Sequence, residues 1–130
     1  MDEFLHDRSQ VISIGGEDYV LILTTKATKE IAARYGGLEN LGDKLMKSEN
    51  FEMALGEIIW LITVLANQAI LIYNYRHKDA PKPLLTEDEV ELLTSPSELA
   101  GYRNAISEAI YKGTVRNVVS EDDGKNPQGA

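Results

Sequence analysis

From residue 50 to residue 76, apolar side chains recur on almost every side of what reads as one long helix, interrupted only by Thr63, Asn67, Gln68 and Asn74. At 1.5 Å per residue such a helix is roughly 40 Å long. Projected at 100° per residue, Glu52, Gly56, Thr63, Asn67 and Asn74 share one narrow stripe, while Leu55, Ile58, Ile62, Leu65, Ala69 and Ile72 lie elsewhere. That stripe is expected to face water. Trp60, Ile70 and Leu71 flank or adjoin it, so the apolar surface is wider than one packing face requires. Either the rest of the chain wraps this helix or another copy does, and helices apolar all round are usually buried in their own domain.

Upstream, residues 10–14 and 19–23 are runs of β-branched and aromatic residues separated by Gly15, Gly16, Glu17 and Asp18, which predicts a hairpin at about residues 10–24. With Gly16-Glu17 as a type II′ turn, Ile14 pairs with Tyr19 and Ile12 with Leu21 on one face. Ser13 then pairs with Val20, and Val11 with Ile22, on the other. A lone hairpin is marginal in water, so it must lie on the helices or join strands of another subunit.

Thr24 or Thr25 is placed to cap a helix that ends at Tyr35, where Gly36-Gly37 stops it. Leu38, Leu41 and Leu45 predict a short helix over 38–47. After the long helix, Pro81 and Pro83 make residues 79–85 an extended linker. Thr86 with Glu89 forms a capping box for a helix ending near Leu93, and Ser95, Pro96 and Glu98 occupy the N-cap, N1 and N3 positions of another. The latter carries Leu99, Tyr102, Ile106, Ala109 and Ile110 on one face and is expected to end near Lys112. The polar, breaker-rich composition beyond Gly113 predicts a disordered acidic tail. The expected architecture is a mainly α (α+β) helical bundle around one long central helix, with an N-terminal β-hairpin. It forms a single domain over 1–113, followed by a tail or linker over 114–130.

Composition narrows the chemistry. The 130 residues with 43% hydrophobic content fit one domain with a real core. Cysteine is absent, which removes disulfides and thiolate metal sites and fits a reducing cytoplasm. The start, Met1-Asp2-Glu3, lacks the basic and apolar regions of a secretory signal. The apolar centre of the long helix, 58–72, is shorter than the ~20 residues of a bilayer span and contains Asn67 and Gln68. A net charge of −8 disfavours nucleic acid as a partner.

His6 and His77 are the only histidines, far apart and without a metal-ligand spacing. No nucleophile elbow or phosphate-binding glycine loop is present. Glu87, Asp88, Glu89 and Glu91 suit the first turn of a helix, where the dipole favours carboxylates, better than an acid–base pair. The expectation is a protein with no catalytic, cofactor-binding or metal-binding residues, acting through protein contacts. One alternative is a DNA-binding regulator, since residues 28–36 with Ala32 and Gly36 resemble the first helix and turn of a helix-turn-helix. Its second helix, 38–47, then places Gly42 where an apolar residue belongs, and Glu39 and Asp43 where donors to DNA belong beside Lys44 and Lys47. A generic helical protein-interaction adaptor is the other alternative.

The segments Leu23 to Gly42 (LTTKATKEIAARYGGLENLG) and Glu57 to Ile62 (EIIWLI) resemble the tail assembly chaperones of long-tailed bacteriophages and prophages of Gram-positive bacteria. The likeness spans residues 11–111 and rests on capping and packing positions. The Pro81/Pro83 linker and the second pair of capped helices are less typical of that family. The resemblance implies a cytoplasmic, self-associating protein that coats the tape measure protein and presents it for polymerisation of the tail tube protein. It further implies a frameshifted longer form, for which the tail from Ser120 to Ala130 would be the linker. On that reading Val11, Val20 and Ile22 make subunit contacts, and Trp60 and Leu71 meet the client.

Overall fold

A computed structural model of the protein describes residues 8–38, 41 and 51–125. Its elements are β1 (Ser9–Ile14), β2 (Glu17–Ile22), α1 (Thr25–Tyr35), α2 (Phe51–Arg76), α3 (Glu87–Leu93) and α4 (Pro96–Lys125). The protein is mainly helical, with an N-terminal antiparallel hairpin laid against the long helix α2 and against α4.

The hairpin forms with a tighter turn than the type II′ arrangement expected. Gly15 and Gly16 both take positive φ, +58° and +87°, and Ile14 pairs with Glu17, Ile12 with Tyr19 and Val11 with Val20. Two consecutive glycines supply the two positive φ angles that a two-residue type I′ turn requires, and this closes the loop two residues sooner. The pairing Ile14 with Tyr19 is therefore corrected by two residues. An even slip leaves every side chain on its expected face, so Ile12, Ile14 and Leu21 still point into the core.

Capping fixes where the helices begin and end. The Thr24 hydroxyl accepts from the Ala27 N–H and starts α1, and Gly36, in the left-handed region at φ +81°, ends it. Ala27, Ile31 and Tyr35 recur at four-residue spacing and are the buried face of α1. Of the helix expected over 38–47, only Leu38 and Leu41 are among the described residues; Leu41 is buried in the core. Thr86 and Glu89 bond reciprocally to each other's backbone N–H, and Ser95 and Glu98 do the same, so both predicted capping boxes are present.

Two boundaries differ from the sequence reading. The apolar stretch Ala54–Arg76 is long and apolar enough to cross a membrane by length and composition, a wider span than 58–72. Its first half nevertheless lies in the domain core, with Ile58, Leu61, Ile62 and Leu65 fully buried. Each such side chain contributes about 1.5–3 kcal/mol of burial. The last helix does not stop near Lys112 but continues through Gly113 to Lys125, so the expected tail is helical over 114–125; residues 126–130 lie outside the described residues. Gly113 keeps a negative φ and acts as a spacer instead of a stop, because a Cβ there would lie 2.6 Å from the Leu23 Cβ.

Gly113→Ala is expected to destabilise the protein by about 1–3 kcal/mol through overpacking. Gly101→Ala, in the same helix with nothing within 4 Å, is expected to stabilise it by about 0.5–1 kcal/mol. Urea unfolding midpoints of the two variants check the contrast.

Candidate interaction surface

Burial along α2 is graded. Residues from Ala54 to Gln68 include most of the helix's fully enclosed side chains, whereas Ala69 through Asn74 are only half-buried and Tyr75 is 76% exposed. The hairpin, α3 and α4 pack along the helix, and its last two turns are only half covered.

The polar stripe predicted to face water instead holds the proline linker. The Asn67 amide donates to the Leu85 carbonyl at 2.8 Å and accepts from the Leu85 N–H at 2.7 Å. Seven residues on, Asn74 makes the same pair of bonds to Lys82, at 3.0 and 2.7 Å. A seven-residue interval returns to nearly the same side of a helix, and the extended linker has backbone groups with no ladder of its own, so the two amides replace the missing strand partner. These residues were missed as functional positions. The signal was present in the Asn67/Asn74 spacing beside Pro81 and Pro83.

Trp60 is tied to α1. Its ring meets Tyr35 edge-on at 6.0 Å, and the Arg34 guanidinium lies 4.3 Å from its centroid. Glu57, one turn earlier, accepts from the Tyr35 hydroxyl and from Arg34 Nε at 3.2 Å. Burial, then the hydrogen bond to the Glu57 carboxylate, pushes the Tyr35 hydroxyl well above its usual range. Burial alone would lower the Arg34 guanidinium, and Glu57 and Tyr35 together more than offset it, leaving it raised.

Trp60 and Leu71, predicted as client-contacting residues, come together. Eleven residues apart, they lie on one side of α2 and share a groove of about 330 Å³ that also has Thr63, Val64 and Leu84 in its walls. Leu71 also borders an adjoining groove of about 350 Å³ that runs to Ile72 and Tyr75. Gln68, only 4% exposed, is shared by both grooves and accepts from the Thr24 hydroxyl, which ties the start of α1 to α2. Tyr75 and Leu84 escaped the sequence reading because one ends the helix and the other sits in a linker.

The three residues predicted for subunit contacts separate. Val11, 46% exposed, pairs with half-buried Val20 on the hairpin's outer face. Ile22 is fully buried within its own chain, which corrects its assignment as a surface contact. It pairs with Ser9, itself buried, at the end of the strand where the hairpin is covered.

Two other groups of polar side chains serve helix ends. His77 stacks on Tyr73 at 4.0 Å, with Nδ1 2.9 Å from the Tyr73 carbonyl oxygen, and closes the end of α2. Glu87, Asp88 and Glu89 stand in the first turn of α3. Among the described residues no cluster of three or more His, Asp or Glu side chains is placed to hold a metal ion. No family model matches the chain, and no curated protein or solved structure shows significant similarity to it.

Asn67→Ala leaves the Leu85 N–H and carbonyl without their partner, and a loss of about 1–3 kcal/mol is expected, with faster hydrogen exchange at the Leu85 amide. Because Tyr35 titrates higher folded than unfolded, its contribution is fully present below its unfolded pKa of about 10 and is lost as pH rises through the folded value. Tyr35→Phe is therefore expected to remove part of the stability loss of the parent protein above about pH 10, measured by urea unfolding across pH 8–11.

Proposed function

We propose that this protein is a non-enzymatic tail assembly chaperone that self-associates and binds the tape measure protein of a long-tailed phage or prophage in the host cytoplasm. The observation that carries this reading is the unfinished burial of α2, whose last two turns leave Leu71, Ile72 and Tyr75 along a groove that begins at Trp60. A soluble domain that keeps a helical apolar surface open has a natural client in another apolar helix, laid with its own i, i+3, i+4 and i+7 anchors in the groove. The tape measure protein is such a client by the resemblance of residues 23–42 and 57–62 to this chaperone family.

Self-association adds strength that one shallow groove lacks. Several copies bound along one long client gain effective concentration with no new type of contact. Val11 and Val20 on the outer face of the hairpin are the proposed contact between copies. A longer, frameshifted form and the tail tube protein complete the proposed set of partners. The client groove and the subunit face lie on different elements, so the two activities are separable by substitution.

Light-scattering mass across a concentration series, with and without a co-expressed helical fragment of the neighbouring tape measure gene, tests the proposal. A concentration-dependent oligomer that carries the fragment through the column is expected. Leu71→Asp with Tyr75→Asp is expected to release the fragment and leave the oligomer intact, and Val11→Asp to lower the mass. A strict monomer that ignores the fragment would overturn the reading.

A further inference from the structure

The two outer edges of the hairpin are treated differently. In a two-residue hairpin the pair flanking the turn is hydrogen-bonded, and bonded and non-bonded pairs alternate from there. Ile14–Glu17 and Ile12–Tyr19 are thus bonded pairs, and the backbone groups of Ser13, Val11 and Ser9 on β1, and of Asp18 and Val20 on β2, point outward. On β1, α4 packs against the strand and bonds both ends of that edge. The Tyr102 hydroxyl donates to the Ser13 carbonyl, and Lys112 Nζ donates to the Ser9 carbonyl at 2.9 Å. On β2, the outward N–H and carbonyl groups of Asp18 and Val20 have no hydrogen-bond partner among the described residues.

That open edge borders a groove of about 530 Å³ between β2, the second half of α2 and the proline linker. Four consecutive β2 residues, Glu17 to Val20, line it. Their side chains alternate between the faces of the sheet, so what all four present to the groove is the strand's edge. Ala66, Ala69 and Ile70 form an apolar floor, and the mouth carries the carboxylates of Glu17, Asp18 and Glu89. The one cation of the lining, Lys82, lies 4.2 Å from the Tyr73 ring centroid.

We propose that this groove binds an extended polypeptide segment as an added strand on β2, and that the segment alternates apolar with basic side chains. Backbone pairing to Asp18 and Val20 supplies the attachment, and the alternation of a strand sends one set of side chains to the α2 floor and the other to the carboxylates. Charge selects this occupant over a second copy of the chain, which would bring a further net −8 and the same acidic strand to an acidic mouth. The site shares only Leu84 with the neighbouring Trp60–Leu71 groove and stands whether or not the protein is a tail chaperone.

The test is titration of the full chain with a seven-residue peptide alternating valine and lysine, and with its valine–glutamate counterpart, followed by amide hydrogen exchange. The lysine peptide is expected to bind saturably and to slow exchange at Asp18 and Val20 by about tenfold or more. Tyr19 and Leu21, already in the ladder, should change little. The glutamate peptide is expected to bind about tenfold more weakly or worse. Val20→Pro removes an outward N–H without breaking a ladder bond and is expected to abolish binding. Should that variant fail to fold, Glu17→Lys with Asp18→Lys is expected to reverse the preference between the two peptides. Failure of both peptides to bind, or binding that survives a folded Val20→Pro, would overturn the proposal. So would protection of Asp18 and Val20 that arises without peptide as the chain's own mass doubles, since a second copy would then occupy the edge.

Discussion

A 26-residue helix that is apolar on nearly every face gains stability only where something else excludes water from it, and α2 has the hairpin, α4, α3 and part of α1 for the purpose. Those elements reach along it only so far. Ile58, Leu61, Ile62 and Leu65 vanish from the surface, and the helix then continues for two more turns at half coverage. The glycine at 113 belongs to the same constraint, because α4 approaches Leu23 so closely that a single methyl group would collide. Full enclosure of side chains in one half and half coverage in the other are two results of one shortage of covering surface.

The polar residues of α2 are distributed to suit. Thr63 returns its hydroxyl to the Ile59 carbonyl within the helix, while Asn67 and Asn74 reach out to fasten the linker, and Gln68 ties the start of α1. An amide in an apolar helix costs free energy unless both its donor and its acceptor are used. Asn67 and Asn74 satisfy that condition with one residue of linker each, so Pro81 and Pro83 can stiffen the crossing while the N–H groups of Lys82 and Leu85 are held.

Capping chemistry made much of this fold legible from residues alone. Thr24, Gly36, Thr86 with Glu89, and Ser95 with Glu98 each act within four residues of one another, and the structure places each boundary where that local chemistry puts it. What escaped depends on neighbours distant in sequence. Gly113 reads as a helix stop until Leu23 is beside it, and Asn67 reads as a wet residue until Leu85 is beside it. The turn was legible in composition but not in type, since a Gly-Gly pair satisfies a type I′ turn and a Gly-Glu pair a type II′ turn. Of the candidate surface, that Trp60 shares a side with Leu71, and Val11 a face with Val20, followed from periodicity, although the pairing expected for Val11 is with Ile22. Ile22 did not, because alternation assigns a face but not how far cover extends along it.

The unequal edges of the hairpin also set a limit on growth. A sheet extends into a fibril when each newly added strand offers a fresh edge and the opposite side remains able to accept another. Here α4 packs against β1, and Tyr102 and Lys112 hold the outward carbonyls at both ends of that side. A strand added to β2 thus meets a hairpin whose far side is already occupied by a helix, so strand-forming surface stays exposed on one side with continued growth through the sheet disfavoured.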